Sequence, residues 1–99
     1  MQFKNGCANG MSHQWINGQY CSIMTPAGIV GCGIYDLKTA AEFGQAIAIA
    51  KGTPEHPLID PEDLLDARIV NATPQAQALG IDVGMTGREA VEKMLADQS

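Results

Sequence analysis

The stretch from Tyr20 to Asp36 constrains the fold of this chain most, because two short apolar runs flank a strong turn signal. The signal is Thr25-Pro26-Ala27-Gly28, in which proline pre-sets the second position of a type I turn and glycine suits the fourth. Apolar runs this short, rich in Ile, Val and Tyr, are more typical of strands than of helices. We therefore predict a β-hairpin with strands at roughly residues 19–24 and 28–35.

A second turn signal, Asn17-Gly18, extends this hairpin toward the N-terminus. Asn-Gly between apolar runs favours a two-residue type I′ turn, which predicts a further strand at roughly residues 12–16. The three strands would form an antiparallel meander. Residues 1–11 carry two more Asn-Gly dipeptides, and this arm is either flexible or loosely paired.

A strand–helix–strand unit is predicted to follow the meander. Asp36 is placed to cap a helix over residues 37–43, and Gly44 suits the left-handed position after that helix. Residues 45–51 are either a strand or a continuation of the helix. We favour the strand, because its two isoleucines would share one face with small alanines on the other. Parallel strands would then require a right-handed crossover.

The second half of the sequence predicts short helices joined by loops. Asp60-Pro61 and Thr73-Pro74 each place proline directly after a capping residue, which is typical of helix starts. A last helix should begin at the capping box Thr86-Gly87-Arg88-Glu89. The alternating apolar residues at 81–85 predict a brief extended stretch before it, and residues 68–72 predict another.

The predicted fold class is therefore α/β, or more specifically α+β. An antiparallel three-stranded meander is extended by a strand–helix–strand unit, and the C-terminal helices pack on the sheet. Ninety-nine residues are enough for one domain. Within it we expect the arm at 1–11, a β-rich oligomerisation half at 12–51 and a helical half at 52–99.

Composition excludes several classes of partner. The formal net charge is −5 and basic residues never cluster, so we expect neither nucleic acid nor an anionic membrane as a partner. No apolar run approaches the length of a membrane span. Three cysteines without paired spacing favour reduced thiols, and hence a cytoplasmic location. A core this small would benefit from self-association.

Three segments resemble a known family. The run Leu79-Gly-Ile-Asp-Val-Gly-Met-Thr-Gly-Arg-Glu-Ala90 resembles the end of the YunC-like family, a bacterial and archaeal domain family of unknown function. The segments Cys32-Gly-Ile-Tyr-Asp36 and Asp63-Leu-Leu-Asp-Ala67 fit it in the same order. The resemblance implies an α/β domain whose N-terminal β-region takes part in forming an oligomer, a dimer or a tetramer. It implies no established reaction, and the chain departs from the family between residues 44 and 61.

Cys32 is the candidate catalytic residue, with Asp36 close by in sequence. Glycines at 31 and 33 would widen a pocket around it, which makes Gly31 and Gly33 candidate ligand-binding residues. An activated thiol needs a positive neighbour or a base, whereas a nearby carboxylate would raise the pKa of the thiol. We therefore favour a structural cysteine over a nucleophile or a redox group.

A second candidate site lies where the last helix begins. Thr86, Gly87 and Arg88 could bind an anion at the free amides of a helix start, with a guanidinium beside them. The capping box by itself explains Thr86 and its partner Glu89, and we favour that explanation. The two histidines lack the spacing of metal ligands, so we expect no metal site and no cofactor.

The sequence thus favours a small cytoplasmic homo-oligomer without catalysis that binds a small ligand at a subunit interface. Trp15 would be either an interface anchor or a cover for the core of its own chain. The alternative function is a small enzyme that uses Cys32 as a nucleophile or redox group on an anionic substrate, with Asp36 and Arg88 placing that substrate.

Overall fold

A computed structural model describes residues 1–3, 6–16, 18–32, 36–52 and 57–96. Within these ranges the chain forms seven strands and four helices. In chain order they are β1 (Gln2–Phe3), β2 (Gly6–Cys7), β3 (Asn9–Trp15), β4 (Gly18–Met24), β5 (Gly28–Gly31), α1 (Leu37–Glu42), β6 (Ala46–Lys51), α2 (Pro61–Asp66), β7 (Arg68–Ala72), α3 (Pro74–Ala78) and α4 (Gly87–Ala96).

The main sheet has five strands in the order β3-β4-β5-β6-β7. Strands β3, β4 and β5 pair antiparallel, which confirms the predicted meander. Strand β6 pairs parallel to β5 after the α1 crossover, so the strand expected at 45–51 is also confirmed. Strand β7 then adds antiparallel to β6, with an irregularity in register between Ile49 and Ala50. The mixed α+β class predicted from the sequence is therefore correct.

The core lies between the sheet and the two helices α2 and α4. Helix α2 contacts β4, and helix α4 contacts β5 and β7. Alternate strand residues point to this side, and the buried cluster includes Ile23, Val30, Ala48, Leu64 and Met94. The cluster draws on both halves of the sequence, because neither the sheet nor the helices can bury their apolar face alone.

The N-terminal arm is paired rather than extended into solvent. Strands β1 and β2 form a small hairpin, closed by two backbone hydrogen bonds between Met1 and Ala8, at 2.8 and 2.9 Å. Ala8 is buried in the core, and β3 begins at Asn9, three residues earlier than predicted. At the other end of β3, Trp15 pairs with Gly18, so Gly18 belongs to β4 and is not the centre of a turn.

Some predicted features fall partly outside the described residues. The Asn17-Gly18 turn includes residue 17, and the predicted end of the third strand includes residues 33–35. The described part of that strand ends at Gly31.

The turn between β4 and β5 closes through a side chain. The amide of Thr25 donates to the carbonyl of Gly28 at 2.8 Å. The amide of Gly28 donates to the Thr25 hydroxyl at 3.0 Å, where a type I turn would use the Thr25 carbonyl. The hydroxyl in turn donates to the Gly28 carbonyl at 2.9 Å. The turn lies where it was predicted, but its closing bond differs because threonine supplies the acceptor.

Helix ends follow the capping rules at most positions. Asp36 caps α1, and Thr73 caps α3 by accepting the amide of Ala76 at 3.2 Å. Gly44 and Gly80 have φ of 72° and 94°, the left-handed conformation expected after a helix. At α2 the cap comes from Asp63, whose carboxylate accepts the amides of residues 59 and 60 at 3.1 and 2.9 Å.

The prediction of an extended stretch at 81–85 is wrong. A turn lies there, with Gly84 at φ 100°. The amide of Gly84 donates to the Ile69 carbonyl, and the amide of Ile69 donates to the Met85 carbonyl, both at 2.8 Å. Arg68 also donates to the Gly84 carbonyl at 2.9 Å. The alternation of apolar residues was misleading, because this segment bends to cover the outer edge of β7.

Candidate functional site

An open cleft of about 550 Å³ lies at the carboxyl ends of β5 and β6. In open α/β sheets, ligands bind outside the carboxyl ends of parallel strands, and the cleft has the same position relative to the parallel pair β5 and β6. The described residues that line the cleft are mainly apolar. They are Gln19, Cys32, Ile49, Ala50, Lys51, Gly52, Pro57, Leu58 and Val70.

Cys32 borders this cleft directly after the end of β5. It is half-buried, and its amide donates to the carbonyl of Cys21 at 3.2 Å. Cys21 lies behind it in the core and is fully buried. Burial, followed by the charges of a Cys32 thiolate, Asp63 and Asp60, raises the pKa of Cys21 from 9.0 to about 12. The two thiols therefore differ sharply in exposure.

Lys51 is the cation of the cleft. It is the last residue of β6, and its side chain is exposed. Its ammonium group has no hydrogen-bond or ion-pair partner among the residues that the structure describes. One wall of the cleft is fixed by Gln19, whose side-chain amide donates to the Leu58 carbonyl at 3.1 Å. Among the described residues, the cleft combines apolar walls with one positive charge and one thiol.

Asp36 does not share the cleft with Cys32. Its carboxylate accepts the amides of Lys38 and Thr39 at 3.1 and 3.3 Å and the Thr39 hydroxyl at 2.7 Å. These bonds, chiefly the one from the Thr39 hydroxyl, lower the pKa of Asp36. The residue is exposed and occupied as a helix cap, which accounts for its position without a role at the thiol.

The start of α4 is a complete capping box. Glu89 accepts the amide of Thr86 at 3.2 Å, and the Thr86 hydroxyl accepts the amide of Glu89 at 3.2 Å. These hydrogen bonds lower the pKa of Glu89. The amide of Gly87 donates to the Ala67 carbonyl at 2.9 Å, so it faces protein rather than a ligand. Arg88 lies over the Phe3 ring, 5.9 Å from its centre, in a cation–π arrangement.

The other residues singled out in the sequence are scattered. Gly31 is buried in β5 between Ser22 and Ile49, while Gly33 and His56 lie outside the described residues. His13 stacks on Tyr20 with ring centres 4.9 Å apart. Among the residues that the structure describes, no group of three or more His, Cys, Asp or Glu is placed to hold a metal ion.

Sequence reasoning found Cys32 but missed the rest of the cleft. Lys51 carried a usable signal, because a strand–helix–strand unit with parallel strands brings the carboxyl ends of 28–35 and 45–51 to one edge. Leu58 and Val70 carried none, since their positions depend on how the loop and β7 return to the sheet.

No helix in the described ranges is long and apolar enough to cross a membrane.

Comparison with known proteins identifies a family and a fold. No curated protein matches the chain. A crystal structure of a protein of unknown function from Thermoplasma acidophilum has a TM-score of 0.66 to this chain at 21% sequence identity, covering 95% of this chain and 99% of that one. At this identity the likeness shows a common fold. The family model for a domain of unknown function, DUF1805, matches residues 31–94, in agreement with the resemblance to YunC-like proteins. The chain therefore belongs to the DUF1805 family.

Proposed function

We propose that this protein is a non-catalytic domain that self-associates through β3 and holds a small ligand in the cleft beside that surface. The observation that carries the proposal is the position of Gln19. It lines the cleft, and it also lines a shallow depression of about 410 Å³ with Gln14, Trp15 and Gly18 at the tip of the β3–β4 hairpin. The proposed ligand site and the tip of the β3–β4 hairpin are therefore neighbours that share Gln19.

The two edges of the sheet support self-association through β3. The β7 edge is covered by the turn at Gly84–Met85, and Arg68 forms a bridge to Thr86. In the described part of the chain, β3 pairs only with β4, which leaves its outer backbone groups open. Proteins usually guard such an edge with charges, proline or bulges, and β3 has none of these.

A second copy of this chain is the partner that fits the β3 edge. Strand β3 carries no Asp, Glu, Lys or Arg in a chain of net charge −5, so two copies can approach there with least repulsion. Trp15 and Ile16 remain 51% and 88% exposed at its end. Trp15 packs on Tyr20 with ring centres 5.9 Å apart and does not cover the core, which favours its role as an interface anchor.

The chemistry of the cleft favours a ligand with an apolar body and one anionic group. Ile49, Leu58 and Val70 offer apolar surface, and Lys51 offers the charge. No acidic residue is among the described residues that line the cleft. An anion would therefore meet attraction at this place on a protein that is negatively charged elsewhere.

Binding of anilinonaphthalene sulfonate, which has an aromatic body and one sulfonate, tests the cleft. Val70→Ser removes apolar surface from the wall, and we expect its Kd to rise about fivefold, from the loss of about 1 kcal/mol of burial. Val83→Ser is the matched control, because Val83 is exposed to a similar extent, 63% against 45%, but lies outside the cleft. Equal fluorescence titrations for the two variants would contradict the assignment.

A small enzyme is the second candidate. The specific observation in its favour is that Cys32 and Lys51 share one cleft, which would suit attack by the thiolate on an anionic substrate. This function requires the thiol, whereas ligand binding alone does not.

A further inference from the structure

Cys21 and Cys32 face each other across two strands. In the β4–β5 register, Ile23 pairs with Val30 and Ser22 pairs with Gly31. One step further, Cys21 is opposite Cys32, and the 3.2 Å hydrogen bond from the Cys32 amide to the Cys21 carbonyl continues the ladder. Directly opposite residues in a hydrogen-bonded antiparallel pair have Cα atoms about 5.5 Å apart, which lies within the range that a disulfide spans.

The side chains also lie on the same face of the sheet. Cys21, Ile23 and Val30 belong to the core cluster, and strand alternation places Cys32 on the same side as Val30. The hydrogen bond between their backbones makes Cys21 and Cys32 direct neighbours across the two strands. Opposite residues of an antiparallel pair have Cβ atoms about 4.5–5.5 Å apart, whereas a disulfide needs about 3.5–4.5 Å. Forming the bond therefore requires the two strands to close by about 1 Å at this end of the ladder.

Access to the two thiols is unequal. Cys32 opens onto the cleft, while Cys21 is 0% exposed and lies behind it. A reagent that enters the cleft meets Cys32 first, and Cys21 is then positioned to act on whatever has bound there. Cys7, on β2, is exposed and lies in the small N-terminal hairpin, away from this ladder.

We propose that Cys21 and Cys32 form a redox-active dithiol that is oxidised by low-molecular-weight disulfides. The Cys32 thiolate attacks one sulfur of the small disulfide, forming a mixed disulfide and releasing one small thiolate, which takes up a proton. Cys21 then loses its proton and attacks the sulfur of Cys32, which forms the protein disulfide and releases the second small thiol. The protein loses two electrons and two protons, and one small disulfide becomes two small thiols.

This dithiol depends neither on the proposed ligand nor on self-association. The small disulfide is the oxidant, and a dithiol such as dithiothreitol reverses the reaction. Because Cys21 is buried and stays protonated near neutral pH, the second step should be slower than the first and should accelerate as the pH rises.

Oxidised glutathione, followed by intact-protein and peptide mass spectrometry under native conditions, tests the proposal. We expect the wild type to lose two hydrogens and to give a linked peptide containing residues 21 and 32. Cys21→Ala should stop at the mixed disulfide, accumulating about tenfold more glutathionylated Cys32 than the wild type does, because the resolving thiol is missing. Cys7→Ser should form the same link between residues 21 and 32, and it lacks only the separate mixed disulfide that the exposed Cys7 can form with glutathione.

Two outcomes would overturn the proposal. In one, the wild-type protein accumulates the mixed disulfide at Cys32 as Cys21→Ala does. In the other, the linked peptide contains Cys7 instead.

Phenylarsine oxide, a trivalent arsenical that bridges two neighbouring thiols, provides a second measurement that avoids oxidation. We expect one equivalent of phenylarsine oxide to bind to the Cys7→Ser protein. Neither Cys32→Ser nor Cys21→Ala should bind it, because each keeps only one of the two facing thiols. A cooperative thermal transition of each variant shows that it is folded, and equal arsenical binding by all of them would contradict the dithiol.

Discussion

Gly87 shows how a single residue can fix the docking of two helices. A Cβ at this position would overlap the carbonyl oxygen of Leu64 in α2, and that backbone atom cannot move aside easily. The Gly87 amide donates to the carbonyl of Ala67 just after α2. Glycine is therefore needed here for close approach of α4 to α2, which gives it a packing role at a position considered for ligand binding.

Gly87→Ala should lower the free energy of unfolding by about 2–3 kcal/mol, because the added methyl group forces two packed helices apart. Urea denaturation monitored by circular dichroism measures this. Gly44→Ala is the control, since Gly44 has φ 72° but open space around it. That substitution carries only the backbone cost, about 1 kcal/mol. An equal decrease in the free energy of unfolding of the two variants would show that the close contact with Leu64 does not contribute to the effect of Gly87→Ala.

The two thiols near the cleft differ in their exposure to solvent. Cys21 and Cys32 are opposite each other, yet one is inside the core and the other faces the cleft. The sequence indicated only that Cys32 had glycine neighbours. The pairing with Cys21 is set by the register of β4 and β5, which one strand alone does not determine.

At the scale of elements, α4 depends on its cap. Thr86 and Glu89 satisfy each other's amides at the helix start, and the same threonine pairs with Arg68 beside β7. The cap thus joins the helix start to the edge of the sheet.

Thr86→Ala should destabilise the protein by about 1 kcal/mol through the loss of the capping hydroxyl. The midpoint of thermal unfolding reports the change, and Thr86→Ser, which keeps the hydroxyl, should restore most of the loss. A melting transition of Thr86→Ala that matches the wild type would be incompatible with a stabilising cap.

Elements were predictable where a few neighbouring residues decide them. Thr25-Pro26 marked a turn, and Asp36 and Thr73 marked helix starts, because a proline ring or a capping oxygen acts within one turn of backbone. Local sequence patterns gave a wrong prediction for residues 81–85. The alternating apolar residues predicted extension, but the backbone of this segment serves as a cover for β7, which local sequence does not encode.

At the scale of the whole molecule, the part of the sheet that the structure describes has one covered edge and one open edge. A small acidic protein with an open, uncharged edge strand has a surface on which a second copy can add a strand. The exposed aromatic tip lies at the end of the same strand and adjoins the cleft at Gln19.

Gln14→Lys should weaken self-association at least about tenfold, because a lysine on each copy brings like charges together at the pairing edge and keeps water there. Sedimentation velocity over a range of micromolar concentrations gives the dissociation constants. Gln45→Lys makes the same change at an exposed position outside the strands and should leave association unaltered. A wild-type protein that is monomeric at the highest concentration would refute association through β3.

The amino-acid sequence was sufficient for the meander, the strand–helix–strand unit, the main helix caps and the fold class, since each follows from turn chemistry or from periodicity within a short window. The parallel pairing of β5 and β6 came from the structure. Tertiary structure decided the cleft, which collects Gln19, Cys32, Lys51, Leu58 and Val70 from five separate parts of the chain. It also decided the facing of Cys21 and Cys32 and the overlap that requires Gly87. These features depend on the burial of one shared core, which sets strand register and helix docking through contacts between residues far apart in sequence.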